Sequence, residues 1–460
     1  MRSPLGSFVA RPWFDRVALR VITRRLLPLS RAWAAARVAA GSIERFFAEV
    51  PLADRADGLR REAADALARI GRLDEAAAAA ARRWEAAAFG PGRCDGPALA
   101  EAERARLAAA NALRFGSGLF RFLLRRGLLP AVRFAVATPG EVESRYGADL
   151  AAPERAYAAP VPLPEVTESG HFSGPDTSEY WIRFPSPSEV MGDTVYARVR
   201  EPEGVADPPT LIFGHGLFVE AEHLQGMPDF TRPLSTAGCR VVEMEAPWHG
   251  RRTPPGAYGG ERFVAGAPLS AIDLFSAQVR EIAVLVDWCR RTSRGAVAVG
   301  GISLGALAGQ LVGVHAAHWP ASMRPDALLL VTSCDRLDEV VRGGSLSRGV
   351  GLPEALAGAG WTPEALTRLR PLSDPTGDPA LAPEDMVVVL GSRDDVTPFT
   401  LGKALFARWK VPRENLFVRR QGHFSGTLGM LRDTRHFHRV LEILRRKSPA
   451  AAGRPGALAR

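Results

Sequence analysis

Lysine is scarce in this chain, and its scarcity changes the meaning of the net charge. Of the 59 basic side chains among 460 residues, only Lys403, Lys410 and Lys447 are lysine. The formal charge of +9 is therefore carried by arginines in an alanine-rich chain, which indicates a compositional trend rather than a basic patch. The charge is accompanied by no helix-turn-helix, zinc-finger or aromatic stacking motif. We therefore expect no nucleic-acid partner.

Cysteine is also sparse. The four cysteines, Cys94, Cys239, Cys289 and Cys334, form no CxxC or other metal-type spacing. The histidines are too dispersed to form a ligand set, and we expect His436 and His438 to be solvated on a terminal helix. The sequence thus predicts no metal and no other cofactor. A reduced, cytoplasmic protein is the simpler expectation.

Long hydrophobic runs are missing as well. A transmembrane helix needs about 18 or more uninterrupted apolar residues, and no stretch of the sequence is that long. Near the N-terminus the apolar runs are broken by Arg24, Arg25, Arg31 and Arg37, which argues against a cleavable signal peptide. With 46% hydrophobic and 24% charged residues, the composition is typical of a globular protein with a sizeable core.

The residue pattern changes near residue 175. Residues 1–150 are rich in Ala, Leu, Arg and Glu, and they predict a helical N-terminal region. The prolines of residues 151–178 predict a linker or an irregular strap. Residues 179–447 alternate β-rich runs with helical stretches, which predicts an α/β domain with a mostly parallel sheet covered on both faces. Residues 448–460 predict a flexible tail.

About eight β-rich runs predict the strands of a doubly wound sheet. They are Tyr180–Phe184, Thr194–Val199, Thr210–Phe213, Arg240–Met244, Ala296–Gly300, Ala327–Thr332, Met386–Leu390 and Leu416–Arg419. The first two are close in sequence and fit an antiparallel hairpin at one edge. Residues 334–383 interrupt the alternation, and we expect a helical cap to be inserted there.

The strongest motif places Ser303 as a nucleophile. Gly301-Ile302-Ser303-Leu304-Gly305 follows an apolar run and precedes a helical one, which is the strand–turn–helix context of a G-x-S-x-G nucleophile elbow. Gly301 and Gly305 are expected to support the turn, because a side chain at either position would meet the neighbouring strand or helix. The turn would lift the Ser303 hydroxyl above the sheet, at the positive end of the following helix.

A second motif predicts an oxyanion hole. The apolar run Leu211–Phe213 ends in Gly214-His215-Gly216-Leu217, and glycine lets a backbone N–H face a developing negative charge. Leu217 N–H and Leu304 N–H are the candidate donors, with Gly216 providing the freedom of the loop. We interpret His215 as a structural loop histidine rather than a catalytic base.

Two later motifs supply an acid and a base. Asp394 follows the apolar run Met386–Leu390, where a carboxylate can accept the Nδ1–H of a catalytic histidine. Asp395 and Asp335 are alternative candidates for the acid. His423, beside Gly422 after the last predicted strand, is the candidate base because it could swing toward the serine.

The segments GISLG, FGHGL, GSRDDVTP and QGHF make residues from about 178 to 447 resemble the α/β-hydrolase superfamily, in which the triad follows the order Ser, Asp, His along the chain. The loop Glu245–Arg252 is similar to the loop after the fourth strand of that family, and the subgroup faintly resembles prolyl-oligopeptidase-like esterases. This resemblance implies a serine esterase or lipase that acts through an acyl-enzyme and needs no cofactor or metal. A thioesterase, an amidase, an acyltransferase and a catalytically silent scaffold stay open as alternatives.

Two N-terminal stretches, Pro12–Ser30 and Leu113–Val136, are both apolar and basic. Basic amphipathic helices of this kind can lie in a membrane interface. Alternatively, they pack against the hydrolase domain or each other, with arginine stems covering apolar surface. Peripheral membrane contact would make a lipid or a long-acyl ester the natural substrate.

Overall fold

The computed structural model describes residues 12–50, 57–124, 129, 131–174, 176–218 and 231–449. In these ranges a helical N-terminal region is joined to a ten-stranded, mostly parallel sheet with helices on both faces and a helical cap. The predicted α/β fold is therefore confirmed. Most of the predicted tail, residues 450–460, lies outside the described residues.

The N-terminal region consists of helices that its alanine and leucine content favours. They are α1 Pro12–Val21, α2 Leu27–Ala39, α3 Ile43–Glu49, α4 Arg60–Phe89, α5 Gly96–Phe115, α6 Arg121–Leu124 and α7 Pro139–Leu150. A π-helical segment, Ile22–Leu26, joins α1 to α2. The first of the two basic stretches thus forms continuous helix over its described part.

The second basic stretch, Leu113–Val136, is not one helix. After α5 it continues as a 3-10 helix, Gly116–Phe120, and as the short α6. Phe120 and Leu123 are buried in a core that α2, α3 and α4 share. Both side chains therefore pack inside the N-terminal region.

The sheet contains all eight predicted strands and two short ones. The strands are β1 Thr167–Glu168, β2 Phe172–Gly174, β3 Thr177–Pro185, β4 Thr194–Pro202, β5 Thr210–Gly214, β6 Arg240–Met244, β7 Val297–Ile302, β8 Ala327–Val331, β9 Met386–Gly391 and β10 Leu416–Arg419. The two short strands, β1 and β2, both pair antiparallel with β3. They lie inside the segment 151–178 that was predicted as a linker.

The strand order places the middle of the sheet on β5 and β7. Along the sheet the order is β1-β3-β4-β6-β5-β7-β8-β9-β10, and the six strands from β6 to β10 run parallel. The hairpin β3–β4 joins β6 antiparallel at the other edge. The carboxyl ends of β5, β7, β9 and β10 therefore meet at one rim, where ligands bind in open α/β sheets.

Helices cover both faces because the central strands are apolar on both sides. Leu328 and Leu330 of β8 pack into the core beneath α10 (Leu269–Thr292) and α11 (Leu304–His315), whereas Leu329 and Val331 pack into the core beneath α19 (Arg435–Lys447). The helices of this domain are α8 Arg232–Ser235, α9 Glu261–Ala265, α10 Leu269–Thr292, α11 Leu304–His315, α17 Phe399–Arg408, α18 His423–Gly429 and α19 Arg435–Lys447.

The cap lies between β8 and β9. It consists of five short helices, α12 Leu337–Gly343, α13 Ser345–Val350, α14 Leu352–Gly358, α15 Pro363–Thr367 and α16 Arg370–Ser373. Its apolar residues Leu337, Leu352 and Leu356 join the same core as α10 and α11. The cap is thus packed onto the sheet domain, over the rim that holds the carboxyl ends of the strands.

Candidate active site

Ser303 lies on the turn between β7 and α11 in a backbone conformation that few non-glycine residues adopt. Its φ is 53° and its ψ is −113°, and its N–H donates to Val331 O at 2.9 Å. A non-glycine residue at positive φ is strained, and such strain persists where the surrounding structure enforces it. The predicted elbow is therefore present as a strained strand-to-helix turn.

The glycines around the elbow are required by close backbone contact. A Cβ at Gly301 would lie 2.4 Å from Gly214 O, and a Cβ at Gly305 would lie 2.3 Å from the same oxygen. Strand β5 thus passes directly behind the elbow. This contact brings the end of β5, which holds the predicted oxyanion motif, next to Ser303.

His423, the first residue of α18, reaches Ser303 across the rim of the sheet. Its Nε2 lies 3.0 Å from Ser303 Oγ, and its Nδ1 lies 2.8 Å from Asp394 Oδ2. With the Nδ1 proton directed to the carboxylate, Nε2 is left to accept the proton of the serine hydroxyl. The structure therefore joins the three residues in one hydrogen-bonded chain.

Asp394 is held by the turn that follows β9. Its Oδ1 accepts the backbone N–H groups of Val396 at 2.9 Å and Thr397 at 3.0 Å. Thr397 Oγ1 lies 2.9 Å from Asp394 Oδ2 and 3.1 Å from His423 Nδ1. Because the contacts from Val396 and Thr397 restrict the carboxylate, its second oxygen stays directed at the imidazole.

The two alternative acids lie elsewhere. Asp395 Oδ1 accepts a hydrogen bond from Ser345 Oγ at 2.8 Å, so it anchors the cap helix α13. Asp335 forms ion pairs with Arg336 at 3.5 Å and Arg408 at 3.9 Å. Among the three candidate acids, the structure places Asp394 against His423.

The environment of His423 favours its protonated form. Burial lowers the pKa of His423, but the charge and hydrogen bond of Asp394, with smaller effects from Asp15 and Asp395, outweigh burial and raise the pKa above its usual value. An imidazolium formed during a reaction would therefore be stabilised in place. This is the property that a general base needs in a triad.

The loop Gly214–Phe218, called here the oxyanion loop, contains the predicted residues Gly216 and Leu217. Two buried histidines support it. His215 Nδ1 lies 2.9 Å from Gly216 O, and His215 Nε2 accepts the N–H of Ala246 at 3.2 Å. The N–H of Phe218 donates to His249 Nε2 at 3.4 Å.

Burial disfavours the protonated form of both histidines. It lowers the pKa of His215 and, as the main cause, lowers the pKa of His249 to about 3. A neutral ring can accept a backbone N–H through one nitrogen and donate through the other. The interpretation of His215 as a structural residue therefore fits its contacts, and His249 supports the same loop.

A pocket opens beside Ser303. It encloses about 730 Å³ of space not filled by atoms, part of it open to solvent, and Leu217 and Leu304 line it together with Ser303. Its other walls are aliphatic and aromatic side chains from α9, α10, α11, the cap and the adjoining loops, with the hydroxyls of Ser347 and Thr397. In the part of the chain that the structure describes, no lining residue carries a charge.

Three supporting residues were not predicted from the sequence. Thr397 lies in the segment GSRDDVTP and His249 lies in the loop Glu245–Arg252, so these motifs contained them without indicating their contacts. Asp15 touches the helix of His423 from the N-terminal region, and no local pattern marks it.

A metal-type cluster is not found in residues 12–449 where they are described: no three or more His, Cys, Asp or Glu side chains converge there. Within the same part of the chain, no helix has the length and apolar character needed to span a bilayer.

Comparison with known proteins gives alignments of structure and no match of sequence. No protein-family model and no curated protein sequence matches it. Acetyl xylan esterase 1 from Thermoanaerobacterium sp. JW/SL YS485 aligns with a TM-score of 0.44 at 18% identity, over 64% of this chain and 93% of the other. An acetyl xylan esterase from Paenibacillus sp. R4 gives 0.47 at 15% identity, over 64% and 92%. An S-formylglutathione hydrolase from Agrobacterium tumefaciens gives 0.38 at 14% identity, over 60% and 98%.

Proposed function

We propose that this protein is a serine hydrolase that cleaves a carboxylic ester with an apolar acyl group through an acyl-enzyme. The observation that carries the proposal is the unbroken chain from Ser303 Oγ through His423 to Asp394, with distances of 3.0 and 2.8 Å, at the wall of an apolar pocket. A nucleophile and base within hydrogen-bond reach, with the base oriented by a third group, is the arrangement that acyl transfer requires.

In the proposed reaction, Ser303 Oγ attacks the ester carbonyl while His423 Nε2 takes the hydroxyl proton. The carbonyl oxygen becomes an oxyanion, and the N–H groups of Leu217 and Leu304 are its proposed donors. His423 then gives its proton to the leaving alcohol, which departs as the acyl-enzyme forms. Water, deprotonated by His423, attacks the acyl-enzyme and releases the carboxylic acid and free Ser303.

The pocket supports an apolar acyl chain. Its lining contains leucine, valine, alanine and phenylalanine side chains and no charged group among the described residues. A charged or strongly polar substrate group would find few hydrogen-bond partners there, so its burial would be unfavourable. An acyl chain, by contrast, gains from each methylene that leaves water.

The first helical stretch, α1 with the π-helical segment Ile22–Leu26 that continues it, supports a finer proposal, an ester presented at a lipid surface. Val17, Val21 and Leu26 are 49%, 37% and 50% exposed. Exposed arginines surround them, namely Arg16, Arg20, Arg24 and Arg25. Apolar side chains among arginines on one helix fit an anionic membrane interface.

The position of this helix connects that surface to the pocket. Thr23 packs on Gly349 of α13, where a Cβ would lie 2.8 Å from Thr23 Cγ2. The same cap helix contributes Leu346, Ser347 and Val350 to the pocket wall. We therefore propose that the exposed face of this helix brings the pocket to the membrane surface.

A series of p-nitrophenyl esters from acetate to palmitate tests the acyl preference. We expect kcat/KM to rise with chain length by about fourfold per buried methylene until the pocket is full, because each buried CH₂ contributes about 0.8 kcal/mol. Ser303→Ala and His423→Ala should show no turnover. A series that peaks at acetate, or turnover that survives in both variants, would contradict the proposal.

A bulky substitution tests whether the pocket holds the acyl chain while leaving the three proposed catalytic residues unchanged. Ser347→Trp places a large ring on the lining face of α13, and we expect it to depress turnover of long esters while acetate turnover is kept. Arg348→Trp, at the exposed neighbouring position of the same helix, is the matched control and should leave the chain-length profile unchanged. Equal profiles for the two variants would show that the acyl chain lies elsewhere.

Vesicle flotation tests the lipid surface. Wild type should float with vesicles of phosphatidylcholine and phosphatidylserine and less with phosphatidylcholine alone, with binding weakened by salt. Replacing Val17, Val21 and Leu26 by serine should abolish flotation, whereas serine at the exposed Val190, Val205 and Val418 should not. Flotation that is absent in wild type, or equal in both triple variants, would refute membrane contact.

A further inference from the structure

Asp15, in the first turn of α1, is bound to the helix that carries the candidate catalytic histidine. Its side chain is buried, with 8% of the residue exposed. Asp15 Oδ1 accepts the backbone N–H of Phe424 at 2.7 Å and that of Ser425 at 3.0 Å. Asp15 Oδ2 accepts the hydroxyl of Ser425. A residue of the N-terminal region thus meets α18 directly after His423.

These contacts complete a helix cap that the sequence of α18 does not provide. The first N–H groups of a helix have no partner inside the helix, and a side chain at the N-cap position usually accepts one of them. The N-cap here is Gly422, which has no side chain. Asp15 accepts two of these N–H groups instead, and a carboxylate is favoured at the positive end of a helix.

Gly422 also makes room for the carboxylate. A Cβ at Gly422 would lie 2.5 Å from Asp15 Cγ, so only glycine admits Asp15 at this distance. Ser425 Oγ additionally accepts the N–H of Gly422 at 2.9 Å. The backbone on both sides of His423 is therefore fixed by one hydrogen-bond network, which Asp15 joins from the N-terminal region.

We propose that Asp15 is a positioning residue for His423, so that the first N-terminal helix is part of the catalytic machinery. The inference rests on the proposed function, because it assigns Asp15 a role in the reaction of Ser303. Asp15 acts in two ways: its hydrogen bonds hold the backbone of α18, and its negative charge favours the imidazolium that forms when His423 takes a proton.

The charged groups that act on His423 come from two directions. Asp394 and Asp395 belong to the loop after β9, and Asp15 belongs to α1; all three favour the protonated ring. Removal of the Asp15 charge should therefore lower the pKa of His423 while the hydrogen bond to Asp394 stays in place.

Two substitutions separate the charge from the cap. Asp15→Asn keeps an oxygen that can accept the two backbone N–H groups but removes the charge, whereas Asp15→Ala removes both. Asp74→Asn is the matched control, because Asp74 is a half-exposed carboxylate of the same N-terminal region that pairs with Arg37 at 2.8 Å. Reactive sites are counted with a fluorophosphonate, so that kcat is expressed per intact serine site and misfolded protein does not contribute.

We expect Asp15→Asn to shift the acid limb of kcat/KM to lower pH and to reduce kcat. We expect Asp15→Ala to reduce kcat per site by about ten- to a hundredfold with little change in KM, because misplacement of a catalytic group acts on the transition state. Asp74→Asn should match wild type in both respects. Asp15→Glu should recover part of the activity, since it restores the charge at a longer reach.

A purely structural role would give a different pattern. The midpoint of thermal unfolding would fall in Asp15→Ala and Asp15→Asn, but kcat per labelled site and the acid limb would stay at their wild-type values, and this would overturn the inference. Failure of the proposed function is distinguishable, because wild type itself would then neither react with the fluorophosphonate nor hydrolyse any ester.

Discussion

Gly305 and Gly214 touch through their backbones: a Cβ on Gly305 would lie 2.3 Å from the carbonyl oxygen of Gly214. Gly305→Ala must therefore push α11 away from β5 and disturb both the elbow and the oxyanion loop. We expect the free energy of unfolding to fall by about 1–3 kcal/mol, as overpacking does, and ester turnover to be lost. Gly358→Ala, where a Cβ would meet nothing within 4 Å, is the control for chemical denaturation and turnover. Similar behaviour of the two variants would mean that the contact is not constraining.

The neighbouring carboxylates Asp394 and Asp395 should behave differently. Asp394→Asn leaves the imidazole without its acceptor, and we expect kcat to fall by about 10³- to 10⁴-fold, as for the orienting acid of other triads. Asp395→Asn weakens the bond to Ser345 on the cap and should leave kcat within a few-fold of wild type. Steady-state kinetics on one ester decides the matter, and a larger loss in Asp395→Asn would assign the acid role to that residue instead.

The pH dependence follows from the raised pKa of His423. The base must be neutral to accept the serine proton, so kcat/KM should fall as the pH drops, with a midpoint above the ordinary histidine value of about 6.5. Asp394→Asn should move this midpoint down. A wild-type midpoint below the ordinary value would contradict the described environment of the ring.

The ionisation of His423 should affect activity and folding stability in opposite directions: activity rises with pH, whereas the contribution of His423 to the free energy of unfolding falls. A pKa that is raised on folding stabilises the protein below the unfolded-state pKa, and this contribution is lost as the pH rises through the folded-state pKa. The difference in unfolding midpoint between wild type and His423→Gln should therefore shrink as the pH rises through the range in which activity appears. A difference that does not vary with pH would argue against the raised pKa.

A buried ion pair ties the N-terminal region to the sheet domain. Arg31 Nη1 lies 2.6 Å from Glu261 Oε2, and each side chain is 3% exposed. We expect Arg31→Met to lower the free energy of unfolding by about 3–5 kcal/mol, because it leaves a buried charge unpaired. Arg60→Met, which removes the exposed pair with Glu44, should not change the unfolding midpoint measurably. Equal effects in thermal melts would show that the N-terminal region does not depend on this pair.

The central strands and the proximity of Ser303, His423 and Asp394 could be predicted because their signals are local. Strands such as β5, β7 and β9 are apolar on both faces. Each is followed closely by a motif residue: Gly214 ends β5, Ser303 follows β7 and Asp394 follows β9. The elbow combines a strand, two glycines and a helix within a few positions. Such features can be predicted from neighbouring residues in the sequence, without knowing which distant residues they contact.

The missed features depend on distant contacts. β1 and β2 have two and three residues, so their pattern is too short to indicate strands, and they exist because β3 offers an edge to pair with. Asp15 meets α18 across 409 positions of sequence, and only the folded chain brings them together.

One histidine prediction was wrong for the same reason. His436 was expected to be solvated, but it is buried, and its ring centroid lies 4.0 Å from that of Phe437. Helix α19 covers one face of the sheet, so a histidine on its inner side is desolvated, and burial lowers the pKa of His436 to about 3. The local sequence does not reveal which side of the helix faces the sheet.

Peptide mapping of wild-type protein, after reaction with a fluorophosphonate at the pH of maximal ester turnover, tests whether Ser303 is an activated nucleophile. We expect one phosphonyl group per chain, attached to Ser303, with loss of ester turnover in proportion to labelling. Ser303→Ala should take up none, and His423→Ala should react far more slowly. Labelling at another serine, or a folded wild-type protein that takes up no label and hydrolyses no ester, would contradict the assignment of Ser303 as an activated nucleophile.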